Sequence, residues 1–164
     1  FQCFPTKLKS KEDMFQGHSI CSLDSKSRII FPSKFRKYMK PEADNKLICT
    51  RGMEGCILVY PLNEWEKFTK GLSRLNVFDP KKRFFMREFM KYVNECELDS
   101  QNRILIPAQL VEHAKLENEV IIIGMLDKLE IWNPKLYEEY ESKQEITYEE
   151  VAKTLSEEIF KDNE

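Results

Sequence analysis

Residues 23–32 read Leu-Asp-Ser-Lys-Ser-Arg-Ile-Ile-Phe-Pro, and residues 98–107 repeat the phrase as Leu-Asp-Ser-Gln-Asn-Arg-Ile-Leu-Ile-Pro. The second phrase follows the first at a constant offset of 75 positions. Such a duplication indicates two copies of one supersecondary unit, each too small to enclose a good core alone. We therefore expect the two halves to pack on each other about a pseudo-twofold axis.

Composition limits the class of protein. The chain has 164 residues, of which 41% are hydrophobic and 33% charged, as in a globular domain. No apolar stretch approaches the roughly 20 residues that cross a bilayer, and no secretory signal is recognisable. These features predict a cytoplasmic protein that does not contact a membrane.

The five cysteines form an odd set without a Cys-x-x-Cys pair. This pattern predicts reduced, mostly buried thiols rather than a disulfide framework. Cys21 and Cys96 are equivalent in the two copies, so a redox or metal pair between them is the alternative. Apart from that alternative, the sequence predicts no metal and no cofactor.

Charge is unevenly distributed along the chain, although the net charge is only −2. Residues 26–40 carry six lysines and arginines and no acidic residue, and residues 81–91 carry a second basic cluster. The acidic residues crowd the C-terminal segment, where residues 138–164 hold ten of them. The net charge therefore conceals a strongly basic first half, which favours an anionic partner.

The hydrophobic pattern predicts the same order of elements twice. In the first copy, strands over 19–23 and 28–31 flank the polar turn 24–27, Pro32 leads a helix over 33–39, and strands over 47–50 and 56–60 follow. Pro61 and Pro80 begin two amphipathic helices. In the second copy, the same pattern predicts strands over 94–98, 103–106, 119–124 and 128–132, and helices that begin at Pro107 and Pro134. A final helix with an acidic surface follows residue 145.

These elements divide the chain into four segments. Residues 1–13 lack periodicity and are interpreted as an extension or an expression remnant. The first repeat spans 14–80, the second spans 81–145, and an acidic C-terminal helix occupies 146–164. The helices present several apolar faces for one compact core, so some of these faces are expected to form subunit contacts in an oligomer.

Signals for an enzyme are weak. The chain lacks the common nucleophile, metalloprotease, phosphate-loop and dinucleotide motifs, and His18 and His113 are its only histidines. Asp24 and Asp99 resemble a symmetric carboxylate dyad, but each has an arginine four positions later and lacks the setting of an aspartic protease. The sequence therefore predicts that the protein is not an enzyme.

The shared Asp-x-x-x-Arg pattern is typical of a stapled turn. If the chain reverses between Asp24 and Arg28, the carboxylate accepts hydrogen bonds from the turn and the guanidinium approaches it. The same geometry applies to Asp99 and Arg103. We predict that both aspartates structure their turns, while each arginine retains further N–H groups for an outside partner.

The two copies differ mainly in charge. The apolar frame persists, whereas Lys26, Lys34, Arg36 and Lys37 of the first copy become Gln101, Gln109, Val111 and Glu112 in the second. An ordinary charged surface is the alternative to a functional one. Because the basic residues are confined to the first copy, we favour anion binding by its turn and by the helix that follows it.

With these motifs identified, the chain resembles the MraZ family, bacterial transcriptional regulators related to the AbrB and MazE DNA-binding modules. The resemblance covers nearly all of the chain except residues 1–13 and the acidic tail. It is carried by both Asp-x-x-x-Arg phrases, by Tyr60-Pro61-Leu62-x-Glu64-Trp65, by Leu72-Ser73-Arg74-Leu75 and by Leu129-Glu130-Ile131-Trp132.

The resemblance implies an α+β fold of two pseudo-symmetric swapped-hairpin β units, an AbrB/MazE/MraZ-like barrel with flanking helices. It also implies a cytoplasmic, nucleoid-associated ring of typically eight subunits that binds promoter direct repeats of the division and cell-wall gene cluster. The motif arginine of the family falls on Arg28 and Arg103. Family members commonly have glycine before this arginine, where this chain has Ser27 and Asn102.

We expect double-stranded DNA to be the partner. The predicted contacts are Lys26, Arg28, Lys34 and Arg36, with Lys37 and Arg103 as further candidates, and Arg28 reads guanine edges. Two rivals stay open. A MazE-like antitoxin would bind both an operator and a toxin, and a non-DNA interaction protein or a hydrolase would use the same barrel differently.

Overall fold

A computed structural model of the chain describes residues 14–161. The predicted extension 1–13, Cys3 and the acidic residues Asp162 and Glu164 lie outside the described residues. The chain forms two compact units, of which the first ends at Pro134 and the second begins at Lys135. Both copies of the repeated phrase belong to the first unit, and the boundary between the repeats at 80/81 stays a prediction.

The first unit contains eight strands, four α-helices and two 3₁₀ turns (Pro41–Ala43 and Met53–Gly55) within the described residues, and a fifth α-helix begins at its last residue. The strands are β1 (His18–Ser22), β2 (Arg28–Ile30), β3 (Lys46–Arg51), β4 (Ile57–Pro61), β5 (Asn94–Glu97), β6 (Arg103–Leu105), β7 (Glu119–Met125) and β8 (Lys128–Trp132). The helices are α1 (Ser33–Arg36), α2 (Leu62–Leu72), α3 (Pro80–Met90), α4 (Ala108–His113) and α5 (Pro134–Ser142), and the second unit adds α6 (Tyr148–Phe160).

Six strands form an antiparallel sheet in the order β1-β7-β8-β4-β3-β5, and β2 pairs with β6 in a separate two-stranded ribbon. The edge strand β1 pairs with β7 of the second copy, and β5 pairs with β3 of the first copy. Each copy therefore donates its first strand to the hairpin of the other. This exchange confirms the α+β fold of two swapped-hairpin repeats that the family resemblance implied.

The pairing registers show the pseudo-twofold axis directly. In the ribbon, Ile29 pairs with Ile104, so Arg28 pairs with Leu105 and Ile30 pairs with Arg103. Positions related by the offset of 75 thus lie symmetrically about the Ile29–Ile104 pair. In the six-stranded sheet, the central pair is Leu58 with Glu130.

The main core lies between the ribbon and the sheet. Ile29 and Ile104 are fully buried, and side chains from β4, β7 and β8 join them in one cluster. Strand alternation explains the arrangement, because every second residue of a strand faces the same side. Burial of one such aliphatic side chain stabilises the fold by about 1.5–3 kcal/mol.

A second, aromatic cluster lies where α2 and α3 pack near β3 and β4. Trp65 stacks on Phe89 with ring centroids 6.0 Å apart, and Tyr60 stacks on Phe68 at 5.2 Å. The helix α3 starts at Pro80, where Asp79 accepts a hydrogen bond from the Lys81 backbone N–H at 2.9 Å. These contacts fix α3 with one face inward.

Residues 14–17 run beside β7 and are not separate from the fold. Phe15 exchanges backbone hydrogen bonds with Leu126, and its buried ring contacts the rings of Phe35 and Tyr38. At Gly124 a Cβ atom would lie only 2.5 Å from the Gln16 backbone nitrogen. Glycine at this position therefore permits the close approach of the two segments.

In the second unit, α6 begins with a capping box. The Thr147 hydroxyl accepts a hydrogen bond from the Glu150 N–H, and the Glu150 carboxylate accepts one from the Thr147 N–H. The apolar edge of α6 is exposed at Val151, Leu155 and Ile159. Within residues 14–161, no helix combines the length and the apolar character needed to span a membrane.

Candidate nucleic-acid interface

The outward face of the β2–β6 ribbon carries two arginines and two aliphatic residues. Ile29 and Ile104 point into the core, so the alternation turns Arg28, Ile30, Arg103 and Leu105 away from it. The Arg28 and Arg103 side chains are 29% and 26% exposed. A two-stranded ribbon of this width fits into the major groove of B-form DNA.

The first turn is held by Asp24. Its Oδ1 accepts hydrogen bonds from the backbone N–H groups of Lys26 and Arg28, both at 2.9 Å. Its Oδ2 accepts a hydrogen bond from Arg28 Nε at 2.8 Å. One carboxylate thus fixes both the backbone of the turn and the direction of the arginine.

The second turn repeats this geometry. Asp99 Oδ1 accepts hydrogen bonds from the N–H groups of Gln101 and Arg103 at 2.9 Å, and Oδ2 accepts one from Arg103 Nε at 2.7 Å. Among the described residues, none accepts a hydrogen bond from the terminal guanidinium nitrogens of Arg28 or Arg103. These N–H groups are therefore available to an external acceptor.

The hydrogen bonds within each turn change the pKa of its aspartate. The backbone N–H of Arg28, with the Arg28 guanidinium and the Lys26 N–H, lowers the pKa of Asp24, and the equivalent groups lower the pKa of Asp99. A lowered pKa in the folded state stabilises the fold above the unfolded pKa of about 3.9, and this contribution is lost as pH falls through the folded value. Both staples are therefore intact at neutral pH.

We expect carboxyl NMR titrations of Asp24 and Asp99 to show midpoints below those of the urea-unfolded chain. The variant Asp24→Asn supplies the assignment, since it removes one titration and leaves that of Asp99. A midpoint for Asp24 equal to the unfolded value would contradict the hydrogen bonds to its carboxylate.

The residue before each arginine has a left-handed backbone. Ser27 has φ +59° and Asn102 has φ +58°. Asparagine tolerates this region better than serine, for which the strain is about 1 kcal/mol. The conformation lets the Ser27 carbonyl accept a hydrogen bond from the Ile106 N–H, and the Asn102 carbonyl one from the Phe31 N–H.

We expect Ser27→Gly to be neutral or to raise the free energy of unfolding by up to about 1 kcal/mol, because glycine removes the strain at positive φ. Asn102→Gly is the matched comparison, and its free energy of unfolding should rise by less than that of Ser27→Gly. Thermal and urea unfolding measure both. A clear fall in the melting temperature of Ser27→Gly would refute this account of the turn.

Three of the four other predicted basic residues lie at separate positions near the ribbon, on α1 or at its C-terminal end. Lys26 is exposed in the first turn, and Lys37 is exposed with its ammonium 5.1 Å from the centroid of the Tyr38 ring. Arg36 donates a hydrogen bond from Nε to the Phe31 carbonyl at 3.0 Å. It lines a polar cavity of about 340 Å³ together with Asn102, so it lies beside the second turn.

Lys34 lies further from the ribbon turns. Its ammonium donates a hydrogen bond to the His18 carbonyl at the start of β1. Asp24 follows the other end of β1, six residues or roughly 20 Å along an extended strand. The structure thus brings Arg28, Arg103 and Lys26 to one ribbon and its turns, with Arg36 nearby, but ties Lys34 to a different part of the surface.

Sequence reasoning missed Ile30 and Leu105 as surface residues. Ile30 is 64% exposed and Leu105 is 58% exposed, although both lie in strongly apolar stretches. The sequence signal that could have revealed them is the alternation of a strand: if Ile29 and Ile104 face the core, the next residues, Ile30 and Leu105, face outward. The runs Ile29-Ile30-Phe31 and Ile104-Leu105-Ile106 are apolar throughout, so residue type alone did not distinguish their exposed members from their buried ones.

Comparison with known families adds to this geometry. The profile of the family described as "MraZ protein, putative antitoxin-like" matches residues 14–88 and again residues 89–158. The chain belongs to the MraZ family.

Individual relatives agree with the MraZ assignment. A protein of Halothermothrix orenii named "Transcriptional regulator MraZ" is 42% identical over 142 residues, which cover 87% of this chain and 96% of the relative. The protein of the same name from Caldanaerobacter subterraneus subsp. tengcongensis is 40% identical over the same shares. That from Histophilus somni is 44% identical over 73% of this chain and 80% of the relative. These names describe regulators and not enzymes.

Cys21 and Cys96 are free thiols in this MraZ chain, so the alternative of a disulfide between them is wrong. Cys21 is in β1 and Cys96 in β5, the two opposite edges of the six-stranded sheet. Cys96 instead lies diagonally across the β3–β5 ladder from the buried Cys49, and the neighbouring Cys96 thiol together with burial raises the pKa of Cys49. No group of three or more potential metal ligands occurs among residues 14–161.

The two histidines of this MraZ chain lie apart. His113 Nε2 is 3.1 Å from the Cys56 carbonyl, next to an apolar groove of about 450 Å³ between α3 and residues 51–55. His18 is exposed at the start of β1. Neither histidine contacts the Asp-Arg turns, so the ribbon surface offers hydrogen-bond donors and positive charge rather than an acid-base pair.

Proposed function

We propose that this chain is a sequence-specific transcriptional regulator that inserts its β2–β6 ribbon into the major groove of double-stranded DNA. The observation that carries the proposal is the pair of outward guanidinium groups, each oriented by a carboxylate through Nε, with terminal N–H groups that no residue of 14–161 engages. Arginine in this state suits the O6 and N7 acceptors of guanine. The names of the relatives support a regulatory role.

The residues divide into base readers and phosphate contacts. Arg28 is the principal base reader and Arg103 its weaker counterpart, because Lys26 adds charge beside Arg28 whereas Gln101 adds none beside Arg103. Lys26 and Arg36 contact phosphates next to the ribbon. Lys34 and Lys37 are exposed lysines that contact phosphates further along the duplex.

Affinity requires several ribbons. A basic surface of this size supplies only non-specific dissociation constants of about 10⁻⁴ to 10⁻⁶ M at physiological salt. Linked binding of neighbouring subunits to direct repeats raises the affinity by about 10² to 10⁴. We therefore propose a ring, octameric as in the family, whose subunits contact each other through apolar surface such as the exposed Phe84 beside the α3 groove.

The biological setting follows the family resemblance. We propose a cytoplasmic, nucleoid-associated protein that binds direct repeats in the promoter of a division and cell-wall gene cluster that begins with its own gene. The repeats retain the proposed bounds 14–80 and 81–145. The acidic segment 146–164 keeps the assembly soluble.

A salt titration tests the proposal. The full chain is titrated with the duplex that precedes its own gene, and the mass of the free assembly is measured in parallel. We expect affinity to fall linearly on a log–log plot with added salt, and the mass to exceed that of one chain several-fold. A binding curve that is flat against salt would reject DNA as the partner.

The family description also names an antitoxin-like character, which favours a second candidate function. A MazE-like antitoxin would bind a toxin through the same assembly. Co-purification of a small endoribonuclease with the full chain would support it. A regulator without a toxin partner would purify alone and still bind its promoter.

A further inference from the structure

Two large aliphatic side chains face solvent between the two arginines of the ribbon. Ile30 is 64% and Leu105 58% exposed. The outward positions of β5, by contrast, are occupied by Glu95 and Glu97. Antiparallel strands normally place polar residues on a solvated face, so an apolar pair here calls for a partner that covers it.

The register arranges the four outward side chains as a checkerboard. Leu105 lies directly opposite Arg28, and Ile30 lies directly opposite Arg103. Opposite side chains in such pairs have Cβ atoms about 5 Å apart, and diagonal neighbours lie about 7–8 Å apart. Each arginine therefore has an aliphatic side chain beside it, and the arginines are separated by about two base-pair steps of 3.4 Å.

The major groove presents one apolar group, the C5-methyl of thymine. A guanidinium bound to guanine brings the neighbouring aliphatic side chain against the edge of an adjacent base pair. We propose that Ile30 and Leu105 contact thymine methyl groups and make the ribbon select a thymine next to each guanine. This inference rests on the proposed function, because it requires the ribbon to lie in the major groove.

Charge argues for DNA rather than a second copy of the ribbon. Face-to-face contact of two ribbons would bring Arg28 and Arg103 against the same arginines of the other copy, and like charges across an interface oppose association. The carboxylates of Asp24 and Asp99 are already engaged with their own arginines. A polyanion with an apolar group at its base edge satisfies both parts of the surface.

Thymine-to-deoxyuridine exchange tests the contact, because deoxyuridine lacks only the methyl group. Random-sequence duplexes are first selected on the full wild-type chain, and each thymine of the recovered consensus duplex is then replaced singly. We expect at least one replacement to weaken binding about fourfold, the equivalent of one buried methyl group. Ile30→Ser or Leu105→Ser should abolish the effect of one such replacement.

Ile20→Ser is the matched control, since Ile20 is 58% exposed on a different strand. It should bind the consensus duplex normally and keep every deoxyuridine effect. Insensitivity of the wild-type chain to all replacements, with strong binding of the consensus, would overturn the methyl contact and leave the proposed function standing. Failure to recover any consensus would overturn both. A change in assembly mass for Ile30→Ser would show a subunit interface and also overturn the inference.

Discussion

Arg28→Ala is expected to weaken binding of the full chain to its promoter duplex by about 100-fold at physiological salt. A bidentate arginine–guanine contact contributes about 1–3 kcal/mol of discrimination, and every engaged subunit of an assembly loses it at once. The structure supplies the reason why alanine removes recognition rather than the fold. Asp24 keeps its hydrogen bonds to the Lys26 and Arg28 backbone N–H groups, which do not depend on the side chain.

Three variants make the Arg28 result specific. Arg28→Lys keeps the charge but not the planar fork, so it should recover non-specific binding and not base preference. Arg103→Ala should weaken DNA binding less than Arg28→Ala does, because the second turn has Gln101 where the first has Lys26. Arg74→Ala replaces an exposed arginine beyond the end of α2 and should bind normally. Wild-type affinity of Arg28→Ala, with unchanged assembly mass, would remove Arg28 from the proposed interface.

The repeated phrase predicted the elements of the first unit well because each element is encoded locally. The Asp-x-x-x-Arg turns, the prolines before α1 and α4 and the glycine-containing connection of β3 and β4 all act within a few residues. The exchange of β1 and β5 between the copies is not local. The turn 24–27 predicts a reversal of the chain, but β1 pairs with β7 and not with β2. Only the family resemblance supplied that pairing.

One element is shorter than predicted, for a reason visible in the structure. A helix was expected over 33–39, and α1 ends at Arg36. The N–H groups of Tyr38 and Met39 bond to the carbonyls of Phe35 and Arg36, three residues earlier, so the chain tightens after one turn. The turn of Pro41–Ala43 follows immediately.

The sequence predicted only part of the candidate site. Spacing predicted the Asp24–Arg28 and Asp99–Arg103 staples, because both partners lie on one turn. It did not show that Arg36 lies beside Asn102 of the other copy, or that Lys34 reaches back to His18, since both contacts depend on tertiary packing. The sequence also gave no sign that the phrase places both arginines on one ribbon face.

The second large effect concerns the pair at the pseudo-twofold axis. We expect Ile29→Ala and Ile104→Ala each to lower the free energy of unfolding by about 2–5 kcal/mol, because both side chains are fully buried at the centre of the ribbon. Against a typical total of about 5–15 kcal/mol, either loss is severe. Symmetry predicts similar values for the two variants, since they occupy equivalent positions.

The neighbours of these residues provide the control. Ile30→Ala and Leu105→Ala remove side chains of similar size from the same two strands, but from the exposed face, and should change stability by less than about 0.5 kcal/mol. Urea unfolding of the four variants therefore separates the inner face of the ribbon from its outer face. Equal destabilisation by Ile30→Ala and Ile29→Ala would mean that the outward face is covered within the folded chain. The ribbon would then be unable to enter a DNA groove.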